Sequence, residues 1–455
     1  MSSPTPEAEN TEAINGANDA SRWRLALRAF DHRNFRLFFM GQTISLIGTW
    51  MQQLAMIWLV YRLTGSAVWL GIIGFSSQIP TFLLSPVAGV LTDRWNRHRM
   101  ILCTQTLAML QAFLLAFLVG SNLIAVWQLI VLSLVLGVVN AFDITGRQAF
   151  LTEMVARRED LANAIALNSS MVNATRLIGP ALAGFLIEQI GEKWCFFLNG
   201  TSYLAVLASL WAMTITPRQQ LTPHTRFLRG LHEGFTYAFG FAPIRSLLLL
   251  MALVSLMGLP YMTLLPVFAT DVLHGDAGTL GLLMAAAGSG ALAGALYLAA
   301  RNSILGLGVR IALSPILFGV ALIGFTFSHQ LGLSSCLLFL IGLAMMVQMA
   351  ATNTILQLIV DEDKRGRVMS FYTMAFMGMT PLGSLVAGGL ADRIGAPLTL
   401  QIGGVGCIVG SLLYLPFLPS LRRMVRPIYI RMGIIPEVAT GIETATEMFV
   451  PPKES

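Results

Sequence analysis

The sequence predicts an all-α membrane protein with twelve transmembrane helices arranged as two sets of six, and three observations lead there. Of its 455 residues, 55% are hydrophobic and only 11% are charged, where a soluble domain carries about 25% charge; the mean hydropathy is +0.70. Apolar runs of the roughly 20 residues that a bilayer core requires recur twelve times. Lys and Arg are distributed unequally between the two sides that such runs define. Of the 29 basic residues, Arg62, Lys193 and Arg393 fall on one side and Arg176 inside a span, and the rest lie on the other side. That asymmetry assigns the basic side, with both termini, to the cytoplasm.

The net charge of +6 does not indicate a nucleic-acid partner, because the positive residues are dispersed over short loops between lipid-length segments. Cys103, Cys195, Cys336 and Cys407 all sit in apolar runs without paired spacing, so they read as small buried hydrophobes rather than disulfides or metal ligands. The 42 glycines suit helices that must approach closely in lipid, where no hydrophobic force drives them together.

In chain order, residues 1–35 form a disordered tail and a basic juxtamembrane segment: Glu7, Glu9, Glu12 and Asp19 lie among small polar residues, with no signal-peptide pattern, before Arg22, Arg24 and Arg28. The interleaved Trp23, Leu25, Leu27 and Phe30 suit an interfacial helix, and positive-inside bias alone explains the arginines equally well. The first set of helices occupies 36–214, with spans at 36–61, 67–91, 100–119, 124–142, 164–187 and 194–214. A connector at 215–245 follows, in which Leu228, Leu231, Phe235 and Phe239 recur at helical spacing among Arg226, Arg229 and Glu233. It reads as an amphipathic helix at the cytoplasmic surface. The second set occupies 246–418, with spans at 246–270, 279–300, 310–328, 332–359, 369–391 and 398–418, and 419–455 is a cytoplasmic tail. Val87-Ala-Gly89-x-Leu91-x-Asp93-Arg94 recurs as Val386-Ala-Gly388-x-Leu390-x-Asp392-Arg393 on the opposite face, as inverted repeats require.

No catalytic constellation is present. The glycine runs at 288–294 and 404–410 lack dinucleotide-loop spacing, and the sequence has no Walker motif, no H-E-x-x-H and no Cys/His cluster. The expectation is therefore a non-enzyme with no cofactor and no metal. Its acidic residues avoid the middle of every predicted span, so ion coupling would fall to a carboxylate at a span end. The candidate is Asp143, one helical turn from Arg147; a structural ion pair fits the same spacing. Arg176 lies about 12 residues into its span, near the bilayer centre at 1.5 Å per residue. An arginine there must face a cavity or a partner, which leaves substrate contact and a backbone-bonded pivot both open. Polar stripes mark other spans: Gln42, Thr49 and Gln53 on the first, Asn140 on the fourth, Asn173 with Arg176 on the fifth, Tyr261 beside Ser255 and Gly258 on the seventh, and Gln348 and Asn353 on the tenth.

Between the second and third spans, Gly89, Asp93, Arg94, Arg97 and Arg99 follow G-x-x-x-D-R-x-x-R-x-R. This resembles the signature loop between helices 2 and 3 of the major facilitator superfamily, and the resemblance implies a conformational latch. Gly179-Pro180 resembles the glycine-proline motif of superfamily antiporters, with Thr175 where a small residue is expected, and so implies a hinge. Arg33-Asn34-Phe35-Arg36, Gly65-Ser66-Ala67, Arg147-Gln148-Ala149-Phe150, Asn163-Ala164-x-Ala166-Leu167-Asn168 and Arg365-Gly366-Arg367-Val368-Met369-Ser370 resemble the drug-proton antiporter branch that contains enterobactin exporters. The resemblance implies the major facilitator fold: two pseudo-symmetric six-helix bundles around a cavity lined by helices 1, 4, 7 and 10. It further implies a monomer in the bacterial inner membrane, among membrane lipids, that exports a small molecule by alternating access driven by a proton or other ion gradient. The substrate class is a siderophore or an amphipathic drug-like compound. Uptake, lysolipid flipping and a non-transporting sensor are the alternatives on the same scaffold.

Overall fold

The structure is a computed structural model that describes residues 28–155, 157–214, 227–301 and 304–431; the side chains of Asp93, Arg94 and a few other helical residues also lie outside the description. The expected acidic tail, the start of the connector and the end of the C-terminal tail fall outside it too. Twelve helices are long and apolar enough to cross a membrane. They are α1 Arg33–Thr64, α2 Ala67–Arg94, α3 Arg97–Gly120, α4 Val126–Met154, α5 Arg158–Ile190 and α6 Glu192–Trp211, then α7 Ala242–Val272, α8 Ala277–Ala299, α9 Leu307–Thr326, α10 Leu331–Ile359, α11 Lys364–Ile394 and α12 Ala396–Ile430. A connector helix, Phe227–Gly240, precedes α7. The described residues contain no strand.

Most helix ends overrun the apolar runs, although the sixth, eighth and ninth helices end one to three residues short of theirs. Polar residues at the ends continue the helix into the interfacial layers, because the i to i−4 ladder satisfies the backbone there as well as water does. The fourth helix shows the consequence: it runs to Met154 rather than 142, so Asp143 lies inside a helix and not at its end. α7 is broken at Gly258-Leu259-Pro260 and ends in a π-turn at Phe268–Val272; α11 contains another at Met374–Gly378.

Packing is two-fold. α1 packs on α5 and α6, α2 on α4, and α3 on α4 and α6; α7 packs on α11 and α12, α8 on α10, and α9 on α10 and α12 in the same way. The two sets meet along two equivalent seams, α2 against α11 and α5 against α8. A Cβ added to Gly388 would lie 2.8 Å from the Cα of Gly71, and one added to Gly281 would lie 2.9 Å from the Cα of Gly184. Each seam thus rests on a glycine–glycine approach of two backbones, the arrangement that gives van der Waals contact its greatest return where lipid replaces water.

Both approaches sit in the half of the molecule that carries the turns at 65–66, 191, 273–276 and 395, termed here the far end. Toward the opposite, connector end the α2 seam continues to Phe82 on Gly378; beyond it Gly89 has nothing within 4 Å of the position a Cβ would take. The sets are therefore closed at the far end and separated along α2 at the connector end. The connector helix belongs to the second set: Gly234 packs on Arg367, Phe235 and Phe239 meet Phe371, and the Tyr237 hydroxyl bonds Asp361 at 3.0 Å.

Filling a seam glycine forces backbone apart at a cost of about 1–3 kcal/mol. Gly388→Leu is expected to lower the Tm of the detergent-purified protein, whereas Gly389→Leu, whose Cβ meets nothing within 4 Å, is expected to leave it unchanged; a fluorescence melting series reads both.

Candidate transport pathway between the bundles

α1 illustrates how polar residues become available to solvent in a membrane helix. Gly41 and Gly48 let α6 close on one side, at Ser209 and at Asn199 with Ser202, and Gly179 of α5 lies against Trp50, where an added Cβ would be 2.4 Å from the Trp50 Cβ. The remaining face carries Thr49 and Gln53, both exposed. Exposed polar side chains in the middle of a spanning helix belong on an aqueous cavity, since lipid offers them no partner. Asn140 on α4, Asn173 and Arg176 on α5 and Asn353 on α10 are half-buried. Asn173 donates to the Ser169 carbonyl at 2.9 Å, and Asn353 accepts from Gln357 at 2.9 Å.

Arg176 stands where the two sets touch. Its guanidinium lies 5.5 Å from the centroid of the Trp50 ring, and Nη2 is 3.7 Å from Met262 Sδ across the interface. Among the described residues no carboxylate pairs with it and no backbone carbonyl accepts from it. Stacking on an aromatic face leaves most of the five guanidinium donors free for an additional acceptor. Gly179-Pro180 lies within an unbroken α5: Gly179 bears on α1, and the Pro180 carbonyl lies against Gly281 of α8.

Gln42, Tyr261 and Gln348 are placed differently, at 2%, 0% and 1% exposure. Each carries a buried polar atom without a protein partner, as do Ser255 and Thr352. In this conformation they lie within helix packing rather than on an open face. Gln52, buried beside them in the α1 sequence, belongs to a chain of bonds: Asn199 donates to Gln52 at 2.8 Å, Gln52 to Gln111 at 3.0 Å and Gln111 to the Leu132 carbonyl at 3.4 Å, tying α6, α1, α3 and α4 together. Gln111 and Asn199 lie in runs that also hold Thr104, Gln105 and Thr106, and Thr201 and Ser202, so nothing in the letters marks these two as partners of Gln52.

Asp143 is buried between α3 and α4, accepts from Thr104 at 2.9 Å and Gln105 at 2.7 Å, and pairs with Arg147. Asp143 stands at the end of the apolar run within a helix that continues beyond it, and three polar partners replace the water that the carboxylate gives up. At the latch, Arg97 pairs with Glu153 at the end of α4 at 2.8 Å, and the Arg99 amide donates to Asn96, the cap of α3. Gly89 is half-buried and Arg99 is exposed; the side chains of Asp93 and Arg94 lie outside the described residues. The second copy of that motif is engaged. Gly388 packs on Gly71, and Asp392 accepts from Ser66 Oγ, the residue capping α2, at 3.3 Å. Nearby, the Tyr61 hydroxyl donates to Asp271 across the sets at 2.6 Å, and Arg62 pairs with Glu192. No cluster of His, Cys, Asp or Glu among the described residues is suited to a metal.

Two pseudo-symmetric six-helix sets, closed at one end over exposed polar faces, define a membrane transporter. The family described as transmembrane secretion effector matches residues 25–425, and the chain belongs to this family of the major facilitator superfamily. It is 28% identical over 384 residues to the staphyloferrin A transporter of Staphylococcus aureus, covering 83% of this chain and 95% of that one. It is 25% identical over 376 residues to the multidrug efflux pump Tap of Mycobacterium tuberculosis, covering 81% and 89%, and 23% identical over 403 residues to macrolide efflux protein A of Streptococcus pyogenes, covering 86% and 97%. A bacterial homologue of the human lysosomal transporter Spinster, solved in an inward-facing conformation, shares the fold with a TM-score of 0.62 at 15% identity, covering 88% of this chain and 98% of that one. The chain is thus a multi-pass efflux-type transporter, and its fold and relatives are those of transporters rather than enzymes.

The Tyr61–Asp271 bond spans the closed end and is absent from any state in which that end opens. Tyr61→Phe removes about 1 kcal/mol from the closed state, a shift of about fivefold in population. Spin-label distances between positions 66 and 392 are expected to show a larger long-distance component in the variant.

Proposed function

We propose that the protein exports an anionic or strongly polar small molecule, of siderophore or amphipathic drug-like chemistry, from the cytoplasm of a bacterium, driven by an ion gradient. In this reading the basic loops are cytoplasmic, and the described conformation is then open inward and closed outward. The observation that carries the substrate class is Arg176: a half-buried cation at the junction of α1, α5 and α7, lying over the Trp50 ring, with no carboxylate partner among the described residues. Thr49, Gln53, Asn140, Asn173 and Asn353 form the polar walls of the route, and Gln42, Tyr261 and Gln348, whose buried polar atoms lack partners, join it when the bundles rock. The similarity to a staphyloferrin A transporter supports the siderophore class. Asp143 and Arg147 are the coupling pair in this reading, and Gly179-Pro180 is the point about which α5 turns against α1 and α8.

The outward-facing state follows from the inverted repeat. Carrying the alignment of 87–94 on 386–393 along both helices pairs Gly71 with Ser370 and Ser66 with Arg365. Gly388 on Gly71 and Asp392 on Ser66 at the far end thus translate into Gly89 on Ser370 and Asp93 on Arg365 at the cytoplasmic end. Gly89 has open space for that approach, and Arg365 Nε is buried without a partner. In a Cys103→Ser, Cys336→Ser background, Gly89→Cys with Ser370→Cys is expected to cross-link and to arrest transport until reduced. Failure to cross-link during turnover would discard this closed state.

Transport itself is tested by release of a preloaded carboxylate or catecholate siderophore and of a lipophilic cationic dye from expressing cells, with a protonophore control. Siderophore release is expected to be protonophore-sensitive and to fall at least tenfold in Arg176→Gln, with dye release little changed. Loss of dye alone, indifferent to Arg176, would overturn the anionic assignment.

A further inference from the structure

A cavity of about 430 Å³ opens at the connector end of the second set, away from the seams and from Arg176. Its walls are the start of α7, at Pro243 and Leu247, Ile355 near the end of α10, and the last turns of α12, where Arg422, Arg423 and Arg426 line it. Among the described residues no acidic side chain lines it. None of the three arginines is ion-paired among the described residues. Such a volume is that of a small-ligand site, and its lining divides by depth.

That depth follows from the length of α12. The helix runs 35 residues, from Ala396 to Ile430, whereas about 20 residues cross the hydrocarbon. The remainder extends through the headgroup layer, where its inward positions Leu418, Leu421 and Val425 stay buried and Arg422, Arg423 and Arg426 are exposed. Apolar walls thus sit beside the acyl-chain region and three uncompensated cations at phosphate level. We infer that this cavity holds an anionic phospholipid, the phosphate bonded by the arginines and an acyl chain against Leu247 and Ile355. The amphipathic lining selects a lipid over a free anion, which would gain nothing from the apolar wall; the charge selects an anionic headgroup over a zwitterionic one. A lipid so placed would bridge α7, α10 and α12 and stiffen the second set. The inference does not depend on the direction of transport or on the substrate.

The test uses the full-length protein, delipidated in a neutral detergent, with phosphatidylglycerol or phosphatidylcholine added back and retention read by native mass spectrometry. Each arginine near a bilayer surface contributes about a fivefold affinity, so Arg422→Gln/Arg423→Gln/Arg426→Gln is expected to weaken phosphatidylglycerol retention on the order of a hundredfold without changing the weak retention of phosphatidylcholine. Leu247→Trp fills the apolar part and is expected to reduce retention with all arginines in place; Ile355→Phe serves if that variant does not fold. Undiminished retention in the arginine variant would overturn the site. Undiminished retention in both cavity-filling variants would reduce it to surface adsorption. Full displacement by millimolar inorganic phosphate would make it a soluble-anion site, and equal retention of the two lipids would remove the charge argument.

Discussion

Everything in this molecule depends on how closely two helix backbones can approach in a medium that does not push them together. In lipid the stabilisation of a helix pair comes from van der Waals contact and a few hydrogen bonds, so a side chain at the crossing point weakens it. The chain places glycine against glycine at Gly71–Gly388 and Gly184–Gly281 and surrounds both crossings with apolar residues. Both contacts lie in the far-end half of their seams, and together they hold that end closed. On the proposed alternating-access reading, opening this end breaks both contacts at once, which favours two discrete arrangements over a continuum.

Much of this was legible in the sequence. The twelve spans follow from hydropathy, since only a lipid-length apolar run can cross, and the inverted repeat around Gly89 and Gly388 is visible as letters before it is visible as geometry. Span ends were less legible: α4 continues past Asp143 because Thr104, Gln105 and Arg147 compensate the carboxylate, and those partners come from tertiary structure. The same limit applies to the pathway. Periodicity puts Gln42, Thr49 and Gln53 on one helix, yet whether each faces water or a neighbour is set by where Gly41, Gly48 and Gly179 bring α5 and α6 against it. Trp50, the ring on which Arg176 rests, reads in the sequence as one more aromatic residue in an apolar run.

Polar side chains divide the labour by the completeness of their bonding. The Asn199–Gln52–Gln111 chain ties four helices of the first set together. Gln42 and Gln105 in the first set and Ser255, Tyr261, Gln348 and Thr352 in the second carry buried atoms without protein partners, each of which costs about 1–3 kcal/mol unless a water meets it.

The turns at the far end carry one more consequence. α1 joins α2, α5 joins α6 and α11 joins α12 through one or two residues, with Gly65, Gly191 and Gly395 at φ of 58°, 89° and 87°, a conformation that a Cβ disfavours. The other connections there span 121–125, 273–276 and 327–330. On the reading that this end faces outward, the cell presents almost no loop of this protein to its surroundings. A protease has little exposed chain to cut and an antibody has little to grip, so the pump is shielded from outside attack by the brevity of its turns.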